Sequence, residues 1–237
     1  MNKLLDLAAL GARETALAQA VNSHNLANAS TPGFRKDLAL YAGTRINSGL
    51  ESDVDLSIGQ VQTTGNPLDV AINGEGYFVI EDGLGGTAYS RRGDFRVDQD
   101  GFLVNGAGYR VIGQGGAINI PPYSEINVGE DGTISLRPLG ADANALAEVG
   151  RFQVVTPQQG QRLQKTPDGL LRTTDGGALL ESTDAKLVSG ALEGSNVNVV
   201  ESLVTRIDLA RRFETQVKLM QRAEENRNSL NQIMRLE

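Results

Sequence analysis

The first 36 residues of the chain carry apolar side chains at helical spacing. Four large apolar residues lie at offsets of 0, 3, 10 and 14, with Glu14 interrupting the stripe: Leu7, Leu10, Leu17 and Val21. These offsets place them on one side of an α-helix of about six turns. The helix should end before Ser30-Thr31-Pro32-Gly33, because the residue before a proline is disfavoured in the helical region and glycine favours a turn.

Residues 199–237 repeat this pattern at the other end of the chain. Their apolar positions follow a spacing of three to four residues: Leu203, Ile207, Ala210, Phe213, Val217 and Met220. The spacing predicts a second long helix. An amphipathic helix gains most of its stability by packing its apolar face, so each helix needs a partner. That partner can be the other helix of the same chain or a helix of another subunit, and the pattern alone allows both.

The central part of the chain alternates short β-rich runs with turn dipeptides. The runs are Tyr77–Ile80, Phe95–Val97, Phe102–Val104, Tyr109–Ile112, Ala117–Ile120 and Phe152–Val155. The turn dipeptides are Asp100-Gly101, Asn105-Gly106, Asp131-Gly132, Asp168-Gly169 and Asp175-Gly176. Such dipeptides tolerate the positive φ angles of tight hairpins. We therefore expect several short antiparallel strands that form a barrel or a sandwich.

Glycine and charge divide the chain in the same way. Of 28 glycines, two fall in residues 1–36, 26 in residues 37–198 and none in residues 199–237. The formal charges of these segments are +2, −10 and +1. We predict an α+β fold, with a coiled-coil-like terminal helical assembly domain formed by residues 1–36 and 199–237. Residues 37–66 are expected to form an irregular linker, and residues 67–198 a central all-β domain.

The overall composition argues against several functional classes. The net charge of −7 disfavours general binding to nucleic acid, which requires a surplus of basic residues. The chain has no cysteine, which rules out disulfides, thiolate nucleophiles and cysteine metal sites. No apolar run reaches the ~18 residues of a membrane span, so direct membrane insertion is not expected. Asp6 interrupts the short apolar N-terminal run, so we expect no cleaved secretory leader.

Four local motifs invite a chemical interpretation, and each has a simpler structural one. His24 lacks a second histidine or a cysteine with which to bind a metal. Asp98-Gln99-Asp100-Gly101 begins like a calcium loop but lacks its later acidic positions. Gly113-Gln114-Gly115-Gly116 is not followed by the lysine of a phosphate-binding loop. Arg91-Arg92 is most simply a charged strand face. We predict a protein that is not an enzyme and has no catalytic residues, metal site or cofactor.

Three separated segments resemble the flagellar basal-body rod and hook protein family. The N-terminal segment is Asn25-Leu26-Ala27-Asn28-Ala29-Ser30-Thr31-Pro32-Gly33-Phe34-Arg35. The central ones are residues 66–80, residues 89–95 and residues 100–104. The C-terminal one is Glu193-Gly194-Ser195-Asn196-Val197, which leads into the last helix. The resemblance covers essentially the whole chain.

The resemblance implies a structural role in the rod. Such a subunit is exported by the flagellar type III export apparatus without signal cleavage. It then joins copies of itself and other rod subunits in a helical assembly in the periplasmic space. The length and residues 17–22 and 25–35 are most similar to a proximal rod subunit, and His24 departs from the asparagine or serine of many relatives. A distal rod or hook-type subunit is the alternative within the family, and a soluble β-domain binding module is the alternative outside it.

The two apolar stripes then supply the candidate assembly interface. Our hypothesis is that the contacts between subunits involve Leu7, Leu10, Leu17, Val21, Leu203, Ile207, Phe213, Val217 and Met220. In relatives of this kind the terminal segments are poorly ordered in the monomer and fold together on assembly. The resemblance also implies that the rod transmits torque, so the expected function is mechanical.

Overall fold

The computed structural model describes residues 2–39, 53–83, 85–142, 145–182 and 184–233. The chain divides into two compact units. The helical unit comprises Met1–Asn28, Asp37–Asp53 and Val197–Glu237, and the β unit comprises Ala29–Lys36 and Val54–Asn196. Each unit therefore contains segments that are distant in sequence.

Two long helices lie at the ends of the chain, as predicted. Helix α1 spans Asn2–Ala27 and helix α2 spans Val199–Ile233. Helix α1 ends ahead of Pro32, where the sequence predicted its end. Asn198 caps the start of α2, since its Oδ1 accepts hydrogen bonds from the backbone N–H groups of Val200 (3.0 Å) and Glu201 (3.2 Å).

The described strands are mostly short and are numbered in chain order. The first ten are β1 (Asp37–Leu38), β2 (Asp53–Val54), β3 (Val61–Thr63), β4 (Val70–Asn73), β5 (Tyr77–Glu81), β6 (Thr87–Ser90), β7 (Phe95–Val97), β8 (Leu103–Asn105), β9 (Arg110–Gly113) and β10 (Gly116–Ala117). The remaining nine are β11 (Tyr123–Val128), β12 (Thr133–Pro138), β13 (Ala147–Arg151), β14 (Val154–Thr156), β15 (Leu163–Lys165), β16 (Leu171–Thr173), β17 (Leu180–Glu181), β18 (Lys186–Ser189) and β19 (Ala191–Glu193).

The β unit contains a large antiparallel sheet and several smaller ones. Seven strands of the large sheet lie in the order β15-β16-β6-β5-β9-β8-β7, with β10 paired to β9, and β14 paired to β5 and β17. Strands β11, β12 and β13 form a three-stranded meander. Two further ladders join distant parts of the chain, because β18 pairs with β4 and β19 pairs with β3. The predicted α+β class, with two terminal helices packed together and a central antiparallel β region, is confirmed.

The main core of the β unit is built around three phenylalanines. The ring centroids of Phe78 and Phe95 lie 5.0 Å apart in an edge-to-face arrangement, and those of Phe95 and Phe152 lie 5.1 Å apart in a stacked one. Phe78 comes from β5, Phe95 from β7, and Phe152 lies between β13 and β14. Leu103 and Ile134 are fully buried in the same core. The core therefore links strands from distant parts of the sequence.

Most of the predicted turn glycines have the expected backbone conformation. Gly101, Gly132, Gly169 and Gly176 have positive φ angles between 71° and 88°. Gly106 was wrongly placed in this group, since the glycine with positive φ in that hairpin is Gly108. A side chain at Gly106 would instead collide with Asp94 and Arg92, because a Cβ atom there would lie 1.9 Å and 2.4 Å from their nearest atoms. The need for glycine here comes from a tertiary contact, which the local sequence does not encode.

The predicted irregular segment 37–66 lies partly outside the described residues. Within its described part, β3 is a regular strand paired along its length with β19, in the register Val61↔Glu193 to Thr63↔Ala191. The pairing partners in this ladder lie about 130 positions apart in sequence, so local turn composition could not reveal them. The predicted domain limits at residues 36, 66 and 198 stay predictions.

Replacing a leucine with alanine should lower the stability of the β unit much more in its core than on its surface. Leu103 is fully buried, whereas Leu139 is 71% exposed. We expect Leu103→Ala to lower the free energy of unfolding by about 2–5 kcal/mol, because it removes packed atoms and leaves a cavity. Leu139→Ala is the matched control and should change it by less than ~0.5 kcal/mol. Urea unfolding followed by circular dichroism measures both, and equal losses would contradict the assigned core.

Candidate assembly site

The seam between the two helices is lined by small and polar side chains. The buried residues of α1 recur every three or four positions: Ala12, Thr15, Ala18, Asn22 and Asn25. In α2, Ser202 and Leu209 are buried and Gln216 is half-buried, at a spacing of seven. The seam therefore contains few of the large apolar side chains that usually stabilise a helix pair.

Polar contacts fix the register of this antiparallel pair. The side-chain amide of Asn22 donates to the carbonyl oxygen of Ser202 at 2.9 Å, and both residues are buried. The hydroxyl of Thr15 lies 2.9 Å from Oε1 of Gln216. Buried polar groups strongly disfavour alternatives that leave them without partners, so these contacts specify one alignment of α1 on α2.

Five of the nine large apolar residues predicted as the assembly interface are exposed in the monomer. Leu7, Leu10, Leu203, Ile207 and Phe213 are exposed by 71%, 49%, 46%, 55% and 36%, respectively. The other four predicted members, Leu17, Val21, Val217 and Met220, are half-buried. Sequence reasoning missed four further exposed apolar residues of α2, namely Val199, Val200, Val204 and Leu219. Both helices thus present large apolar side chains to solvent.

The first family motif positions the chain just after α1. Asn25 is buried, and its side-chain amide donates to the carbonyl oxygen of Asp37 while its Oδ1 accepts from the N–H of Asp37, both at 2.8 Å. Asn28 donates through Nδ2 to the carbonyl oxygen of His24 at 3.0 Å. The His24 ring lies 2.5 Å from a carboxylate oxygen of Asp37. These contacts secure β1 against the end of the helix.

The other motif residues are less enclosed, with two exceptions. Phe34 and Val197 are buried. Leu26, Thr31 and Ser195 are half-buried, and Ala27 is exposed. The motif therefore combines buried side chains with others that remain partly or fully exposed.

Within the β unit, the segment after α1 lies beside the segment before α2. The N–H of Gly33 donates to the carbonyl oxygen of Glu193 at 2.7 Å, and the N–H of Lys36 donates to Oδ1 of Asn196 at 2.7 Å. Gly33 has a φ of 66°, and a Cβ atom there would lie 2.4 Å from the backbone of Arg91. Only glycine fits this position without displacing the backbone of Arg91.

Asn196 connects this crossing to a third segment. Its Nδ2 donates to the carbonyl oxygens of Asp55 at 2.9 Å and Ser57 at 3.1 Å. Gly59 approaches the same place so closely that a Cβ atom would lie 2.1 Å from the carbonyl oxygen of Gly194. The two motifs thus meet in one place, although 160 positions separate Lys36 from Asn196. The motif residues at this crossing are Gly33, Phe34, Glu193, Gly194 and Asn196.

A buried ion network joins these segments to the sheet. Glu193 is 2% exposed, and Arg35 and Arg91 are each 3% exposed. Oε2 of Glu193 accepts from Nε of Arg91 at 2.8 Å, and Oε1 lies 2.7 Å from Nη1 of Arg35. Oε1 also accepts from the N–H of Gly59 at 2.8 Å. One carboxylate therefore holds two guanidinium groups and a backbone amide.

Arg91 was wrongly predicted to form a charged strand face. It follows β6 but turns inward, and its Nη1 donates to the carbonyl oxygens of Gly74 and Gly76 at 2.8 Å each. Burial lowers the pKa of Arg91, while the adjacent Glu193 carboxylate opposes that shift. Arginine stays charged throughout the ordinary pH range, so this side chain is a permanent buried cation.

The remaining motifs do not form a chemical site. Asp98 Oδ1 accepts from the N–H groups of Asp100 and Phe102, which makes that segment a tight turn. Gly113 and Gly116 pair across the β9–β10 hairpin. Across the described ranges, no three histidine, aspartate or glutamate side chains are grouped so that they could hold a metal ion. Within those same ranges, neither helix combines the length and apolarity needed to cross a membrane.

Two family models match separate stretches of the sequence. The flagellar hook protein FlgE/F/G D1 domain matches residues 71–136, within the β unit. The flagellar basal body rod FlgEFG protein C-terminal model matches residues 188–233, which include β19 and α2. Both models describe proteins of the flagellar rod and hook class.

Relatives that match most of the chain make the family assignment more specific. The chain is 38% identical over 239 residues to the flagellar basal-body rod protein FlgF of Salmonella typhimurium strain LT2, covering 94% of each sequence. It is 36% identical over 240 residues to FlgF of Escherichia coli strain K12, again covering 94% of each. It is 30% identical over 239 residues to the rod protein FlgG of Bacillus subtilis strain 168, covering 86% of this chain and 89% of that relative. The chain belongs to the flagellar basal-body rod proteins, a structural family, and it is similar to those named FlgF.

Replacing Glu193 with glutamine should test the ion network. Glutamine keeps the shape of the side chain but removes the charge that two buried guanidinium groups share. We expect Glu193→Gln to lower the free energy of unfolding by about 3–5 kcal/mol in urea, because uncompensated buried charge is costly.

The matched control is Glu125→Gln. Glu125 pairs with Arg137, but its side chain is 63% exposed, and exposed ion pairs contribute about 0–1 kcal/mol. Similar losses in the two variants would mean that the buried network does not hold the crossing together.

Proposed function

We propose that this protein is a structural subunit of the bacterial flagellar basal-body rod, in its proximal part, and that it polymerises through its terminal helices to transmit torque. The observation that carries the proposal is the exposure of several large apolar side chains on both helices, beside a seam that is lined mainly by small and polar residues. The helical ends, residues 1–36 and 199–237, form the assembly domain in this proposal, and residues 67–198 form the β-domain.

The exposed side chains supply a reason to assemble. Leu7, Leu10, Leu203, Ile207 and Phe213 leave much of their apolar surface in water in the monomer. Burying one such side chain completely is worth about 1.5–3 kcal/mol before ordering costs. Because α1 and α2 present different residues, contacts between copies can be head-to-tail, and such contacts form a helical assembly when the rotation does not close.

The small side chains in the seam explain why the helices would complete their folding only on assembly. Alanine, threonine, asparagine and serine bury little apolar area, so the isolated pair gains modest stability from its own contacts. Neighbouring subunits would add the missing apolar contacts and complete a coiled-coil-like packing. The entropy of ordering two long helices is then offset at assembly, which would restrain polymerisation elsewhere.

The proposed partners follow from this role. They are copies of this chain, other rod subunits and the flagellar type III export apparatus, at the basal body in the periplasmic space. The proposal includes no catalytic step, nucleic-acid partner or membrane insertion. A distal rod or hook-type position is the alternative within the family. The FlgG relatives, at about the 30% level of identity, keep that alternative open to test.

A charge on the exposed apolar face should block assembly without unfolding the β unit. In the bacterium that encodes the protein, replacing its gene with the Ile207→Asp variant should abolish swimming and halt rod assembly, as judged by motility agar and electron microscopy of basal bodies. The physical reason is that an unpaired carboxylate would be buried at the contact between subunits.

Thr205→Asp is the matched control, because it places the same charge two positions away on a residue that is also exposed. It should retain swimming if the apolar face makes the contact. Normal rods in the Ile207→Asp strain would contradict the proposed interface. Basal bodies from Ile207→Asp that stop below the distal rod would support the proximal position, whereas bodies with a complete proximal rod would favour the distal one.

Hydrogen exchange on the purified monomer should distinguish the rod subunit from a self-contained binding module. We expect fast amide exchange in residues 2–27 and 199–233 beside a protected β unit, because the helices gain much of their stability from other subunits. Strong protection of both helices in the monomer would favour the binding module. The backbone amides of β5 and β9, which are paired in the large sheet, serve as the internal protected reference.

A further inference from the structure

The sequence contains two Asn-Gly dipeptides, Asn73-Gly74 and Asn105-Gly106. In such a pair the asparagine side chain can react with the backbone nitrogen of the next residue, because glycine has no Cβ atom to hinder the approach. The same local chemistry is therefore available at two places in the chain. The structure gives these two places opposite surroundings.

Asn105-Gly106 is enclosed by the β unit. Asn105 is 1% exposed, and its Oδ1 accepts hydrogen bonds from the N–H groups of Ala107 and Tyr109 at 3.0 Å each. Gly106 packs closely against Asp94, since a Cβ atom at Gly106 would lie 1.9 Å from that side chain. Turning the Asn105 amide towards the backbone of Gly106 would break both hydrogen bonds and disturb this packing.

Asn73-Gly74 is open to solvent. Both residues are exposed, and Asn73 is the last residue of β4. Among the described residues, the side chain of Asn73 has no hydrogen-bond partner. Gly74 has a φ of 99°, and apart from its chain neighbours no atom lies within 4 Å of the place that a Cβ atom would take. A ring can therefore form here once the terminal residue pair of β4 opens, and strand ends open at low cost.

We propose that Asn73 is a site of spontaneous deamidation in the folded protein and that Asn105 is protected from the same reaction. The backbone nitrogen of Gly74 loses its proton to solvent base and forms a bond to Cγ of Asn73. The bond from Cγ to the side-chain nitrogen breaks, and that nitrogen takes up a proton and leaves as ammonia. The resulting cyclic imide adds one water at either of its carbonyl carbons and opens to aspartate or to isoaspartate. The reaction requires only water and the folded β unit, so it is independent of the proposed rod function.

The isoaspartate product would disturb the buried ion network. The Arg91 guanidinium binds the carbonyl oxygens on both sides of Asn73, that of Ile72 at 3.2 Å and that of Gly74 at 2.8 Å. Isoaspartate adds a methylene group to the backbone between these two carbonyls, so both cannot keep their positions on Arg91 unless the backbone shifts. The aspartate product keeps the backbone unchanged and places a carboxylate opposite Lys186 in the β4–β18 pair. The two products should therefore differ in stability.

Peptide mapping by mass spectrometry tests the site. After incubation of the folded full chain at mildly alkaline pH, we expect at least about tenfold more deamidation at Asn73 than at Asn105, because Asn105 must first lose two hydrogen bonds. In protein unfolded by urea, the two sites should react at similar rates. Equal rates in the folded protein would overturn the proposal. So would an unmodified Asn73 after a time in which the unfolded chain reacts.

Thermal unfolding tests the effect on the ion network. The isoaspartate fraction, separated by chromatography from aged protein, should melt about 3 °C or more below the unmodified protein, because it loses hydrogen bonds to a buried charged group. Asn73→Asp is the matched control for the new charge and should melt within about 2 °C of the parent. Equal melting of the isoaspartate fraction and Asn73→Asp would overturn the proposed effect on Arg91. Asn73→Gln, whose longer side chain disfavours the ring, should lose most of the deamidation at this position.

Discussion

The structure of the β unit depends on the placement of one carboxylate. Glu193 is buried beside Arg35 and Arg91, and one of its oxygens also accepts a hydrogen bond from Gly59. Desolvating these charges is costly, and the cost is recovered only when all the partners are in place. The network therefore acts as a geometric requirement. The chain can bury these groups only if the segments around residues 35, 59, 91 and 193 arrive together.

This requirement explains why the motif after α1 and the motif before α2, which are far apart in sequence, lie side by side in the structure. Gly33 admits the backbone of Arg91, and Asn196 bonds both Lys36 and Asp55. Each residue serves the same crossing, where the chain passes from α1 into the sheet and from the sheet into α2. A side chain at Gly33 would collide with the backbone of Arg91, and replacing Asn196 with alanine would leave the backbone groups of Lys36 and Asp55 without this partner.

Local sequence patterns predicted the helices and turns correctly. They did not predict which residues pack together in the tertiary structure. Apolar spacing located both helices, and the Asp-Gly dipeptides located real turns, because helices and tight turns are governed by interactions between neighbours in sequence. The helical seam was not foreseen, since its alanine, threonine and asparagine positions carry a weaker hydrophobic signal than the leucines beside them. The Asn198 cap could have been found, because an asparagine followed three positions later by Glu201 is a recognisable helix start.

The crossing itself lay beyond sequence reasoning for a different reason. Arg91 resembles a surface arginine in its local context, and only the arrival of Glu193 from a distant strand makes it a core residue. Gly106 is required because Arg92 and Asp94 pack against it. When a buried charge or a glycine is required by a contact with a distant part of the chain, its role cannot be predicted from its neighbours in sequence. The family resemblance, by contrast, identified the crossing motifs as a pair without revealing that they touch.

The β3–β19 and β4–β18 ladders impose an order of events on a chain that emerges from its N-terminus. The partner of Val61 is Glu193 and that of Ile72 is Leu187, so the earlier strands stay unpaired until most of the chain is available. Closing such long loops is slow compared with local hairpin formation. In a chain that is still emerging, hairpins between neighbouring strands such as β7 and β8 can form before these two ladders close. The last residues of the β unit to appear are those that bring its beginning and end together.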